Sequence, residues 1–210
     1  MFQITRLLDV LLHLDRFLGI IIERFGFSSY AILFVIIFCE TGLVVAPFLP
    51  GDSLLFAAGT FAAIGSLNIV GLFVTLLSAA ILGDAFNYWI GRNLDGKIIH
   101  VKPEHLEKTR RFYERYGGKT IIFARFVPIV RTIAPFVAGI GRMNYARFFA
   151  YNVIGGVLWV GLFLLLGYFF GNIPIVKKNF SIAILLIVFV SILPGIVEWV
   201  RGKKAVNSEQ

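Results

Sequence analysis

Phe123-Ala-Arg125-Phe-Val-Pro128-Ile-Val-Arg131-Thr-Ile-Ala-Pro135 sets two arginines and two prolines inside chain that is otherwise apolar enough to enter a lipid bilayer. An arginine at the centre of a membrane helix costs about 2.5–3.5 kcal/mol on insertion scales, so each one demands a partner or a polar cavity. Groups of opposite charge lie upstream. Phe38-Cys-Glu40-Thr-Gly-Leu-Val-Val-Ala-Pro47-Phe-Leu-Pro50-Gly51-Asp52 carries two acids in a second apolar stretch, interrupted by Pro47, Pro50 and Gly51. Backbone broken at membrane depth survives only where protein or enclosed water satisfies its hydrogen bonds. Both stretches therefore read as re-entrant hairpins that meet around a charged internal site, with Pro47, Pro50, Gly51, Pro128 and Pro135 as the helix-breaking or gating positions.

Composition sets the class. With 58% hydrophobic residues, only 15% charged and 22 Phe, and a mean hydropathy of +0.85, the chain is an integral membrane protein rather than a soluble domain. The single cysteine, Cys39, excludes an internal disulfide and multi-cysteine metal sites. His13, His100 and His105 lie outside the strongly apolar blocks and form no His-x-x-x-His pair, so no metal and no cofactor are expected. The net charge of +8 is accounted for by membrane topology and does not imply nucleic acid.

Apolar blocks cover about 29–49, 53–66, 68–90, 119–140, 148–171 and 180–200. Those from 68, 148 and 180 are long and nearly uncharged, as spanning helices must be. Residues 1–24 carry Arg6, Asp9, Asp15 and Arg16 without a cleavage pattern, and read as a helix lying in the interface. Residues 91–117 hold most of the soluble charge. There Lys102-Pro103-Glu104 opens a helix that Gly117-Gly118 closes, with the solvated face outward. The excess of lysine and arginine in this loop, and Arg201, Lys203 and Lys204 in the 201–210 tail, place both on the cytoplasmic side.

Shifting the chain by 80 residues lays Phe56-Ala-Ala-Gly59 on Phe136-Val-Ala-Gly139 and Tyr88-Trp-Ile-Gly91 on Tyr168-Phe-Phe-Gly171. The expected architecture is thus all-α and membrane-embedded. An inverted repeat of hairpin plus spanning helix (28–90 and 118–171) is followed by an extra C-terminal helix (180–200), as in many secondary transporters. Asp84, Arg92 and Tyr88, near the end of their span, read as interface anchors. Trp89, Trp159 and Trp199, near helix ends or along lipid-facing surfaces, read as belt or packing residues, and Cys39 as packing.

The motifs Phe38-Cys-Glu40-Thr-Gly42, Pro47-Phe-Leu-Pro50-Gly51-Asp52-Ser53-Leu54, Gly83-Asp84, Asn87-Tyr88, Gly91-Arg92, Gly118-Lys119, Ala124-Arg125-Phe-Val-Pro128-Ile-Val-Arg131 and Pro135-Phe-Val-Ala-Gly139 resemble the DedA family of bacterial inner-membrane proteins over nearly the whole chain. That family is in turn similar in core to the VTT-domain lipid scramblases. The resemblance implies a multi-pass inner-membrane lipid transporter, not an enzyme. It implies movement of undecaprenyl phosphate or a related anionic lipid to the cytoplasmic leaflet with dependence on the proton gradient, and it carries the family's membrane charges onto Glu40, Asp52, Arg125 and Arg131.

On that footing Arg125 and Arg131 are the expected phosphate-headgroup residues, because guanidinium forks match phosphate oxygens. The helix starting near Asp52-Ser53 adds free N–H groups at its N-terminus. Glu40 and Asp52 are the expected proton-coupling pair, closing on the arginines when no anion is bound. The partners are then an anionic lipid, protons and the surrounding membrane lipids, with a homo-oligomer left open. Competing readings are a proton-coupled cation or drug antiporter, a passive scramblase, a lipid phosphatase and an envelope scaffold. The phosphatase lacks a recognisable nucleophile or histidine base beside the arginines.

Overall fold

The computed structural model of the protein describes residues 14–43, 51–93, 113–114, 116–174 and 176. Pro47, Pro50, the N-terminal half of the 1–24 segment, most of the 91–117 segment, and the helix and tail expected at 180–200 and 201–210 lie outside these residues. Seven α-helices follow one another among the described residues: α1 (Leu14–Phe25), α2 (Ser29–Gly42), α3 (Gly51–Ala63), α4 (Ile69–Asn93), α5 (Thr120–Ala124), α6 (Pro128–Ile140) and α7 (Tyr145–Phe170).

Leu18–Gly42, Ile69–Asn93 and Tyr145–Phe170 are long and apolar enough to cross a membrane. The last two match the expected spans from 68 and 148. The first is bent. Gly26 has φ +49, and the Ser29 hydroxyl donates to the carbonyl of Ile21, eight residues back, where a straight helix would hold them about 12 Å apart. Beyond the bend, Leu18 is fully buried and Ile21 nearly so, and Gly19 faces the Phe61 ring of α3. The helix expected to lie in the interface thus packs one face on the protein.

Neither α2 and α3 nor α6 reaches the roughly 30 Å of a bilayer core, since 13 or 14 residues rise only about 20 Å. In the second half the interruption falls at 125–127, and Pro128 begins α6, where its missing N–H and fixed φ suit a first turn. Pro135 behaves differently from expectation, because α6 runs through it to Ile140. A proline leaves the carbonyl four residues back without its helical donor, and here side chains supply bonds to the same stretch: Asn87 donates to the Thr132 carbonyl at 2.8 Å and Tyr113 to that of Ala134 at 3.0 Å.

The two halves exchange helices. α2 packs on α4 and α5 on α7 within each half, whereas α3 of the first half lies along α7 and α6 of the second lies along α4. Glycines set these crossings. A Cβ on Gly59 would overlap the Leu164 carbonyl and crowd the Tyr168 amide, and one on Gly167 would overlap the Phe56 carbonyl. In the other half Gly139 meets the Tyr88 carbonyl and Arg92 amide, and Gly91 meets the Phe136 carbonyl. Small residues at such points let backbones touch, which is how helices associate in lipid.

The contacts at Phe56 and Phe136, and at Gly59 and Gly139, match at the two crossings. They correct the other match: Gly91 corresponds to Gly167, an offset of 76 residues, not to Gly171. The difference of four residues is about one helical turn, so it preserves the helix face and escapes an ungapped comparison.

Candidate functional site

α4 and α7 each bury one stripe at three- and four-residue spacing. On α4 it runs Leu76, Ala80, Gly83, Asp84, Asn87 and Gly91, and on α7 Asn152, Gly155, Gly156, Trp159, Leu164 and Gly167. Toward one end of both helices the stripe joins an apolar cluster with Leu33, Leu55 and Leu72; toward the other it joins a second with Ile121, Val130 and Phe148. Asp84, Asn152 and Trp159 occupy the stretch between, beside the broken segments, and that is where the arginines are.

Arg131, in the first turns of α6, is 6% exposed. It donates to Glu40 from the last turn of α2 and, through Nη1, to Asp52 Oδ1 from the first turn of α3 at 2.9 Å. Glu40 is fully buried and also accepts the Gly51 amide at 3.1 Å, so one carboxylate both caps α3 and pairs with the arginine. Asp52 is the most open member, its side chain 14% exposed. Its Oδ1 also accepts the indole N–H of Trp159 at 2.8 Å.

Arg125, in the break before α6, pairs elsewhere. Its Nη2 donates to Asp84 Oδ2 at 2.7 Å and to Asn152 Oδ1 at 2.5 Å, and Asn152 is oriented by its own amide bond to the Ile81 carbonyl at 3.0 Å. Asn87 ties the halves together by donating to the carbonyls of Thr41 and Thr132. Trp159 is fully buried, with the guanidiniums of Arg131 and Arg125 at 5.0 and 5.8 Å from its ring centre, inside the range at which an aromatic face attracts a cation.

All four charged residues singled out in the sequence therefore meet in one cluster, with two corrections. Glu40 and Asp52 both serve Arg131, and the partner of Arg125 is Asp84, which is 2% exposed and no interface anchor. Trp159 is the centre of the cluster rather than a lipid-facing residue, whereas Trp89 is 55% exposed. Tyr88, 2% exposed and donating to the Met143 carbonyl, is likewise a buried residue rather than an anchor, and Arg92 donates to its hydroxyl at 3.0 Å near the end of α4. Gly51 is placed at the start of α3 beneath Glu40, with no room for a Cβ. Asp84, Asn87, Asn152 and Trp159 are the residues that sequence reasoning missed, and the small-residue stripes on α4 and α7 were the signal that marks them as buried. Among the described residues no group of His, Cys, Asp and Glu is arranged to hold a metal ion.

Interrupted helices, spanning helices with small-residue crossings, and a buried ion-pair cluster between two halves define a multi-pass membrane protein with a charged internal site. The VTT domain model matches residues 49–169, which include Asp52, Asp84, both arginines and Trp159. Protein DedA of Escherichia coli K12 is 55% identical over 95% of this chain and 94% of its own. An uncharacterized membrane protein of Mycobacterium leprae is 40% identical over 86% of this chain and 85% of its own, and the inner membrane protein YqjA of Escherichia coli K12 is 36% identical over 71% and 70%. No solved structure matches at a significant level. The chain belongs to the DedA family of VTT-domain proteins and is a multi-pass inner-membrane protein.

Proposed function

We propose that the protein carries a phosphate-bearing anionic lipid, with undecaprenyl phosphate as the candidate substrate, to the cytoplasmic leaflet, and that protons move with it. The observation that carries this reading is the placement of two buried guanidiniums over one indole, each held only by side chains from neighbouring helices. Two adjacent guanidinium forks match a phosphomonoester in charge and in acceptor geometry. In the closed arrangement carboxylates occupy the arginines, and an incoming phosphate takes their place. The α2–α3 and α5–α6 pairs are read as re-entrant hairpins of two inversely oriented repeats, with residues 91–117 and the C-terminus on the cytoplasmic side.

Charge supplies the coupling. Three carboxylates, Glu40, Asp52 and Asp84, face two arginines, so a neutral buried cluster holds one proton, and low dielectric penalises any other balance. Each arginine released to a phosphate leaves a carboxylate that is neutralised most simply by a proton. Asp52, the most open of the three, is the point of access.

Leaflet translocation of a labelled undecaprenyl-phosphate analogue in proteoliposomes under an imposed pH gradient tests this. Flux is expected to follow the gradient in the parent protein and to lose that dependence in Asp52→Asn. Flux indifferent to both the gradient and the substitution would instead identify a scramblase. The excess carboxylate favours one second reading, a proton-coupled cation antiporter. It predicts that an organic cation, and not the phosphate lipid, is moved by the same preparation.

A further inference from the structure

Arg125 is 2% exposed, yet among the described residues only its Nη2 donates to protein. Its Nε and Nη1, and Oδ1 of Asp84, are buried without a hydrogen-bond partner among the described residues. An arginine buried purely to brace helices gains by filling its five donors, since each buried polar group left unmade costs about 1–3 kcal/mol. The Arg125–Asp84 contact is one-armed, although the fork and the carboxylate could meet through two parallel bonds. Arg131 shows the same pattern, with Nε unpartnered while Nη1 and Nη2 are taken by Asp52 and Glu40. Both arginines thus keep buried donors in reserve, and both lie within 6 Å of the same indole centre.

We propose that Asp84 is a third displaceable carboxylate of the transport site, holding Arg125 closed as Glu40 and Asp52 hold Arg131, so that one phosphomonoester engages the two arginines in turn across Trp159. The inference rests on the lipid-phosphate reading above. Asn152 and Asp84 together occupy Nη2, and a phosphate with three acceptor oxygens can satisfy Nη2, Nη1 and Nε at once, which neither side chain does. Asp84 acts through Arg125 and is a positioning residue. Its departure opens the arginine, and its return expels the anion.

The experiment uses the full chain with Trp89→Phe and Trp199→Phe, leaving Trp159 as the sole fluorophore beside both guanidiniums. It is titrated with dodecyl phosphate, with inorganic phosphate as the free-anion arm and dodecyltrimethylammonium as the cation arm. If the closed pair withholds Arg125 about nine-tenths of the time, Asp84→Asn binds dodecyl phosphate about tenfold more tightly. It also translocates the lipid analogue more slowly, because nothing returns to displace the anion, and Asp84→Glu restores both values toward the parent. A merely structural aspartate does not separate affinity from turnover in opposite directions. Unchanged affinity in Asp84→Asn, with weakened affinity in Arg125→Ala, overturns the role of Asp84 while leaving the lipid reading intact. No response of the parent to dodecyl phosphate overturns the lipid reading itself, as does an equal response to inorganic phosphate. Should Asp84→Asn not fold, Asn152→Ala removes the other acceptor of Nη2: tighter binding supports the proposal and unchanged binding overturns it.

Discussion

Arg131→Ala is expected to abolish translocation and to destabilise the protein by about 3–5 kcal/mol, the cost of leaving buried carboxylates without their counter-ion. Two acids depend on this one guanidinium. Glu40 is fully buried, and Asp52 would retain only the Trp159 indole as a donor. Loss of activity alone would not distinguish a transport site from a brace, so the informative comparison is the triple variant Glu40→Gln, Asp52→Asn, Arg131→Gln. Its amides keep the shape and the hydrogen bonds: Gln at 40 can still accept the Gly51 amide, and Asn at 52 can still accept from Trp159. Stability against denaturant in detergent is expected to recover most of the loss, because no buried charge is left unpaired: the remaining pair, Arg125 with Asp84, is intact. Flux is expected to stay at zero, because Arg125 alone remains and the two-arginine site that takes a phosphate is broken. If the triple variant carries lipid, the charges are structural and the transporter reading fails.

The same cluster shows what a linear sequence reveals. Arg125, Arg131, Glu40 and Asp52 were legible because a charge in an apolar run breaks the pattern that membrane insertion demands. The interruption before Pro128 was legible because a missing N–H can be placed on a helix without knowing its neighbours. Pairing was not legible. Which acid meets which arginine depends on the rotation of α2, α4 and α6 about their axes, and Asp84 reaches Arg125 across 41 residues of sequence. Asp84 and Trp159 share a reason for being hard to place: each lies on a long helix whose other faces carry exposed apolar residues, such as Leu82, Phe86, Leu158 and Leu162. Position along the helix suggested an anchor, whereas position around it, on the glycine- and alanine-bearing stripe, gives the buried side. An ungapped shift of 80 residues pairs Gly59 with Gly139 but misses the pairing of Gly91 with Gly167 by one turn. Pro135 reads as a break in sequence because the side chains that bond near its gap, from Asn87 and Tyr113, belong to other parts of the chain.

The second large effect is expected from a single methyl group at the crossing of α3 and α7. Gly167→Ala places a Cβ on the Phe56 carbonyl, a backbone group that cannot rotate aside as a side chain would. Overpacking of this kind costs about 1–3 kcal/mol, and a rigid backbone neighbour puts the site at the upper end. Gly161→Ala, six residues earlier on the same helix, is the control. Its Cβ would meet only the Phe73 ring at 3.7 Å, an ordinary contact, and alanine is the better helix former by roughly 1 kcal/mol in an exposed helix interior. Gly161→Ala is therefore expected to fold and transport like the parent, whereas Gly167→Ala unfolds at lower denaturant. The damage should also reach the ion pairs, because α3 carries Asp52 and is held in place along α7. Pushing the two helices apart moves Asp52 away from the Trp159 indole and Arg131 together. Gly91→Ala does the same from the other half, overlapping the Phe136 carbonyl on α6, the helix that carries Arg131. Equal losses at Gly91 and Gly167, beside an unaffected Gly161, are what two exchanged helices with equivalent contacts demand. A loss at only one of them would mean that the two crossings do not share the work of holding the arginines.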